Sequence, residues 1–193
     1  RRPRAVRALA ALEAWLAAAS RWAARLGGAV IFLSALLVTA EVVLRNLPGV
    51  TGVTLHSFDL THWGFAAAVA FGFAWALASR AHIRIDVLYA LAPLRLRAAL
   101  DALAMVAVAA MAVAMAWHGW GVVATSLRLG ARPNSTLDVP LAVPQAIWAA
   151  GLSWFAAVAA LSALIAVLRL VTGRLAELHA AAGAQTEGLE AEA

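Results

Sequence analysis

The stretch Arg80-Ala81-His82-Ile83-Arg84-Ile85-Asp86 places four polar or charged side chains within seven residues, between two long apolar runs. Residues 63–79 before it and residues 102–117 after it contain no formally charged side chain. An Arg or Asp at the centre of a bilayer costs about 2.5 to 3.5 kcal/mol on insertion scales, so a membrane helix ends where such charges begin. The stretch therefore predicts a membrane boundary that joins two spans.

The composition places the whole chain among membrane proteins. Hydrophobic residues make up 64% of the 193 residues and the mean hydropathy is +0.85, whereas soluble domains are about half apolar. The formal net charge of +5 comes from arginine alone. In an apolar chain, clustered arginine marks cytoplasmic loops and lipid headgroups rather than nucleic acid. Cysteine is absent, which excludes disulfides, thiolate metal sites and cysteine-ligated iron–sulfur clusters.

Four apolar runs are long enough to cross a hydrocarbon core of about 30 Å. They are predicted at about residues 26–44, 63–79, 102–124 and 141–168, within a transmembrane domain of residues 25–170. Residues 1–24 predict an interfacial amphipathic helix, because apolar residues recur at spacings of three and four. A signal peptide is the alternative for this segment. A short surface helix is predicted between spans two and three, and residues 171–193 predict a disordered cytoplasmic tail. The predicted fold class is an all-α integral membrane protein.

Several residues in or beside the spans predict specific contacts. Small residues that let membrane helices approach closely occur in the first span at Gly27, Gly28, Ser34 and Ala35. Glu41 and Arg45 lie four residues apart with the acid first, the favourable order for a helical ion pair. An interfacial structural pair is favoured over a proton or ion site. Arg97 and Asp101 repeat this spacing, and Pro140 suits the first turn of the fourth helix.

The arginines predict the orientation of the chain. Four spans place both termini on one side of the membrane, and twelve of the fifteen arginines fall on that side. The other three are Arg45, Arg128 and Arg132. The positive-inside rule therefore predicts that both termini are cytoplasmic.

With its residues in this order, the chain resembles the DctQ-like family, the small membrane subunits of tripartite ATP-independent periplasmic (TRAP) transporters. Residues 41–45 resemble the Glu…Arg ending of that family's first helix, and residues 78–87 resemble its most recognisable signature. Residues 137–141 resemble the entry of its fourth helix. The resemblance rests on the order and spacing of these three motifs and covers about residues 28–169.

The resemblance implies one part of a three-part secondary transporter in the bacterial cytoplasmic (inner) membrane. A periplasmic binding protein captures a small organic acid anion, and a large membrane subunit carries it across with sodium. The small subunit serves as a scaffold, with no catalytic role, no cofactor and no metal. Its expected partners are the large subunit, the binding protein as a transient partner, and membrane lipids, but not nucleic acid.

Candidate site residues lie at the ends of the spans. Contacts with the large subunit or with lipid headgroups are expected of Glu41, Arg45, His82, Arg84, Asp86 and Pro140. Docking of the binding protein is expected of Asp59, Arg128 and Arg132. Asp59 stands alone in residues 56–59, where the family often has a Trp and paired acids.

Two other classes of function remain open at this point. A membrane-anchor cytochrome b-type haem subunit of a respiratory complex would use axial histidines, and His62 and His118 map to the outer ends of neighbouring spans. Their place at the edges of the spans argues against this class. A stand-alone transporter or channel would need polar residues that converge within the bilayer, and only the first predicted span carries a carboxylate.

Overall fold

The computed structural model describes residues 4–49, 52, 54–79, 92–135 and 137–182, with side chains described from residue 11 onward. The helices in this part of the chain are α1 (Arg4–Asn46), α2 (Ser57–Ala78), α3 (Leu94–Leu129), α4 (Ala142–Val171) and α5 (Leu175–Ala182). The first four are each long and apolar enough to cross a membrane. The predicted all-α fold with four membrane helices is therefore confirmed.

The helices extend beyond the apolar runs that predicted them. α1 is continuous over 43 residues, so the segment predicted as a separate interfacial helix and the first span form one helix. The residues at the predicted break, 23–26, are alanine, arginine and leucine, which are strong helix formers. The predicted disordered tail instead begins with α5, which buries Leu178 completely. The short surface helix predicted between spans two and three lies outside the described residues.

Glycine and proline define the ends of α3 and α4. Gly130 follows α3 with φ 58°, in the left-handed region that favours glycine. The N–H of Ala131 then donates to the carbonyl of Ser126, which completes a Schellman motif and satisfies a free carbonyl at the helix end. α4 begins at Ala142, so Pro140 precedes the helix instead of lying in its first turn. Pro144 occupies that turn, where a missing N–H leaves no bond unmade.

The long helices pack in a row in the order α1–α2–α4–α3, and α5 packs on α3 and α4. α1 is antiparallel to α2, α2 is parallel to α4, and α4 is antiparallel to α3. We call the end where α1 and α3 finish and α2 and α4 begin the junction end. The opposite end, which carries α5, is the tail end. The row explains why α1 and α3, at its two edges, leave many large apolar side chains exposed.

Small residues allow the helices to touch. The most deeply buried alanines are Ala70, Ala74, Ala98, Ala112, Ala149 and Ala159. A Cβ atom added at Gly151 of α4 would lie 2.8 Å from the Cβ of Ala70 on α2, so no side chain fits there. The prediction of a close approach is confirmed for Gly27, where an added Cβ would lie 3.2 Å from Ala68. Gly28 instead faces open space.

Candidate functional site: joints at the two ends of the bundle

The carboxylate of Glu41 joins α1 to α2 at the junction end. One of its oxygens accepts a hydrogen bond from the backbone N–H of Ser57, the first residue of α2, at 3.0 Å. Its other oxygen pairs with Arg45, which confirms the ion pair predicted from the spacing. The first N–H groups of a helix have no partner within the helix and carry partial positive charge, so an anion is stabilising there. Glu41 therefore acts as a cap supplied by another helix.

The local sequence of α2 explains why this cap is needed. The residue before the helix, His56, adopts φ 51° and its side chain makes no capping hydrogen bond. A positive φ is uncommon for a residue other than glycine, and it marks the sharp reversal into α2. Glu41 is only 5% exposed, whereas more than half of the Arg45 side chain is exposed. The pair therefore has a buried anion and a cation that reaches outward.

The three candidates for docking a binding protein all lie at the junction end. Asp59 is half-buried in the first turn of α2, where its charge favours the helix. Arg128 is exposed in the last turn of α3. Arg132 forms an exposed ion pair with Asp138 across the loop that leads to α4. Pro140 is exposed just before α4 begins.

Two pairs at the tail end join helices that are distant in sequence. Arg169 of α4 donates to the carboxylate of Glu13 of α1 at 2.9 Å. Asp101 of α3, which is 1% exposed, lies 3.2 Å from the ring nitrogen of His179 on α5. The predicted pairing of Asp101 with Arg97 is wrong, because the Arg97 side chain turns back to the carbonyl of Ala92 at 2.6 Å.

Side chains beside these pairs tie α1 to α4 and line a cavity. The indole N–H of Trp154 donates to the hydroxyl of Ser20 at 3.2 Å, and Trp15 packs edge-on against the same indole. The cavity, of about 290 Å³, is lined by all five helices. Its walls are mostly apolar, and its charged residues are Glu13 and Arg169.

The sequence predicted the junction-end pair but not the tail-end pairs, because only the junction-end pair is local in sequence. Glu41 and Arg45 are one helical turn apart, so spacing alone reveals their contact. Glu13 and Arg169 are separated by most of the chain, and a periodic pattern carries no signal for such a contact. The candidates His82, Arg84 and Asp86 lie outside the described residues.

The histidines considered for haem do not form a pair on neighbouring helices. α2 and α3 both pack on α4, so the expectation that His62 and His118 lie on adjacent spans is wrong. The ring of His62 is held by the carbonyl of Phe58 at 2.7 Å. His118 lines an open groove on α3 beside Thr125 and Ser126. Among the described residues, no three or more His, Asp or Glu side chains are grouped as a metal site would require.

A family model matches most of the chain. The family described as "Tripartite ATP-independent periplasmic transporters, DctQ component" matches residues 34–173, from the last third of α1 to just past the end of α4. No curated protein and no solved structure matches the chain. The matched range contains the capped junction of α1 and α2 and three of the four membrane helices in full. The chain therefore belongs to the DctQ family and is the small membrane component of a TRAP transporter.

Proposed function

We propose that this subunit is the fixed scaffold of a sodium-driven, binding-protein-dependent transporter that takes up a small organic acid anion. Membership of the DctQ family supports the place of the chain in the transporter. The substrate class, the coupling ion and the dependence on a binding protein rest on the resemblance to that family. The chain itself has no catalytic role in this proposal.

The bonding partners of the buried carboxylates are the main support for the scaffold role. Glu41 and Asp101 are the buried acidic side chains of the described residues. Each one bonds within the chain, Glu41 between α1 and α2 and Asp101 between α3 and α5. A transport path needs polar groups that face a cavity and can exchange partners with a solute. Carboxylates that fix helices to one another fit a rigid body better than a path.

The distribution of arginine supports a cytoplasmic tail end. The arginines with described side chains that lie toward the tail end are Arg21, Arg25, Arg95, Arg97, Arg169 and Arg174. Those at the junction end are Arg45, Arg128 and Arg132. By the positive-inside rule, the tail end faces the cytoplasm and the junction end faces the periplasm. The junction end is then the surface that a periplasmic binding protein reaches.

The edges of the row offer the surfaces for membrane partners. α1 exposes Phe32 and Leu33 by more than 60%, and α3 exposes Leu103 and Met111 to the same degree. Within a bilayer such faces contact lipid or another membrane helix. The large subunit covers part of them in this proposal, and the exposed guanidinium of Arg128 contributes to docking at the periplasmic side. Contacts of His82, Arg84 and Asp86 with the large subunit or lipid remain a prediction.

Two experiments test the proposal. Affinity purification of the chain from its native membrane should recover a larger membrane protein with many helices, and isolation of the chain without such a partner contradicts the scaffold role. Topology reporters placed after Ala182 and at Gly52 should report the cytoplasm and the periplasm, respectively. The reverse pattern refutes the orientation and leaves the scaffold role standing.

A further inference from the structure

Two arginines lie one helical turn apart on an exposed face of α1. Arg21 and Arg25 are both exposed, and neither forms an ion pair with any acidic residue in the part of the chain that the structure describes. Like charges four residues apart on a helix repel each other. Both arginines also lie inside the helix segment that is long and apolar enough to span a membrane. An anion bound from outside the chain would relieve the repulsion between these two charges.

Each guanidinium lies over a tryptophan ring. The central carbon of Arg21 is 5.7 Å from the ring centroid of Trp75 on α2, and that of Arg25 is 5.0 Å from the ring of Trp22. A cation–π contact holds the guanidinium in place and leaves its N–H groups able to donate to oxygen atoms. Within the described residues, neither indole N–H of these tryptophans has a hydrogen-bond partner. The site thus presents donors that have no acceptor among the described residues.

The same face of α1 continues as an apolar strip toward the junction end. Phe32 and Leu36 follow Arg25 at intervals of seven and eleven residues, which place them on the same side of a helix. Both side chains are at least half exposed. Between them and Arg25 lies Gly28, where even an added Cβ would meet nothing within 4 Å. Phe32 and Leu36 therefore form a shallow apolar track that begins on the junction-end side of the two guanidinium groups.

We propose that Arg21 and Arg25, with Trp22 and Trp75, bind the phosphate of an anionic phospholipid whose acyl chain lies along Phe32 and Leu36. Tryptophan favours the level of the lipid headgroups, where an amphipathic ring meets both water and hydrocarbon. Arginine binds phosphate with two parallel N–H donors, so the pair suits a phosphate better than a single charge would. A cationic head above an apolar track matches the chemistry of a phospholipid. A membrane helix of another subunit that carries an acidic side chain at this level is the rival occupant, and the cross-linking experiment below separates the two.

Lipid titration of the full chain tests the site. The purified, delipidated chain in neutral detergent is titrated with phosphatidylglycerol or phosphatidylcholine and examined by native mass spectrometry. Each arginine near an anionic surface contributes about fivefold in affinity, so Arg21→Gln with Arg25→Gln should weaken phosphatidylglycerol binding about 25-fold. Phosphatidylcholine binding should not change. The matched control, Arg95→Gln with Arg174→Gln, removes two tail-end charges that do not lie over a tryptophan ring and should keep the affinity within about twofold.

A second variant keeps the test decisive if the neutral form does not fold. Arg21→Lys with Arg25→Lys retains both charges without the planar guanidinium, and it should keep a preference for phosphatidylglycerol while losing part of the affinity. Equal binding of phosphatidylglycerol by the wild type and the glutamine variant overturns the proposal. So does a cross-link that places both arginines against carboxylates of the large subunit in the native complex, because the counter-ion is then a protein side chain.

Discussion

Replacing Gly151 by alanine tests the contact between α2 and α4, on which the row of helices depends. An alanine Cβ would lie 2.8 Å from the Cβ of Ala70 and 3.1 Å from the backbone nitrogen of Phe71. Carbon atoms in contact normally stay about 3.5 to 4.0 Å apart. The ring of Phe71, whose Cδ2 would lie 3.0 Å away, can turn aside. The Cβ of Ala70 and the backbone nitrogen of Phe71 move only with the helix, so α2 and α4 must move apart.

The magnitude follows from two opposing effects. Overpacking of a well-packed contact costs about 1–3 kcal/mol. Alanine stabilises a helix relative to glycine by about 0.5–1 kcal/mol. We therefore expect Gly151→Ala to lower the free energy of unfolding by about 1–2 kcal/mol. Gly28→Ala, where nothing lies within 4 Å, should show only the helix gain and leave stability equal or higher.

The assay is unfolding of the purified chain in mixed micelles, titrated with sodium dodecyl sulfate and followed by circular dichroism. Gly64→Ala provides an intermediate case, because its added Cβ would lie 2.8 Å from Cγ1 of Val30, a methyl group at the end of a side chain. The expected order of stability is Gly28→Ala, then Gly64→Ala, then Gly151→Ala. If Gly151→Ala is as stable as Gly28→Ala, the close contact of α2 with α4 does not exist and the reasoning fails.

Four further substitutions test the joints between helices. Glu41→Gln removes the charge that caps α2 at Ser57 and should lower the free energy of unfolding by about 1–2 kcal/mol, as measured by the same titration. Glu13→Gln and Arg169→Gln should each lower the free energy of unfolding. The double variant should lower it by about 1 kcal/mol less than the sum of the two single effects, because the two side chains interact. Strict additivity would show that the pair does not interact. Asp101→Leu should release α5, so that limited proteolysis at the tail end becomes faster; an unchanged cleavage rate would show that Asp101 does not hold that helix.

The sequence predicted the part of the structure that follows from local pattern. The apolar runs gave the four membrane helices, and the spacing of Glu41 and Arg45 gave their ion pair. The extent of α1 was not predictable from hydropathy, because Arg21 and Arg25 interrupt the apolar pattern without interrupting the helix. Helix propensity stays high through those arginines, so the backbone continues.

Contacts between distant segments lay beyond any local pattern. The bond from Ser57 to Glu41 depends on how α1 and α2 cross, and the pair of Asp101 with His179 depends on α5 folding back onto α3. The buried state of Asp101 was also hidden, since a charge at a predicted span boundary is ordinarily solvated. The central charged stretch predicted the membrane boundary, and the roles of its side chains remain predictions.

Reconstituted uptake tests the scaffold role most directly. The large subunit is reconstituted into liposomes with and without this chain, and the binding protein is added outside. Uptake of an organic acid anion is then measured under an inward sodium gradient. The scaffold account predicts uptake only when this chain is present with both partners, and no uptake by the chain alone. Uptake by the chain alone, or undiminished uptake when it is left out, would contradict the account.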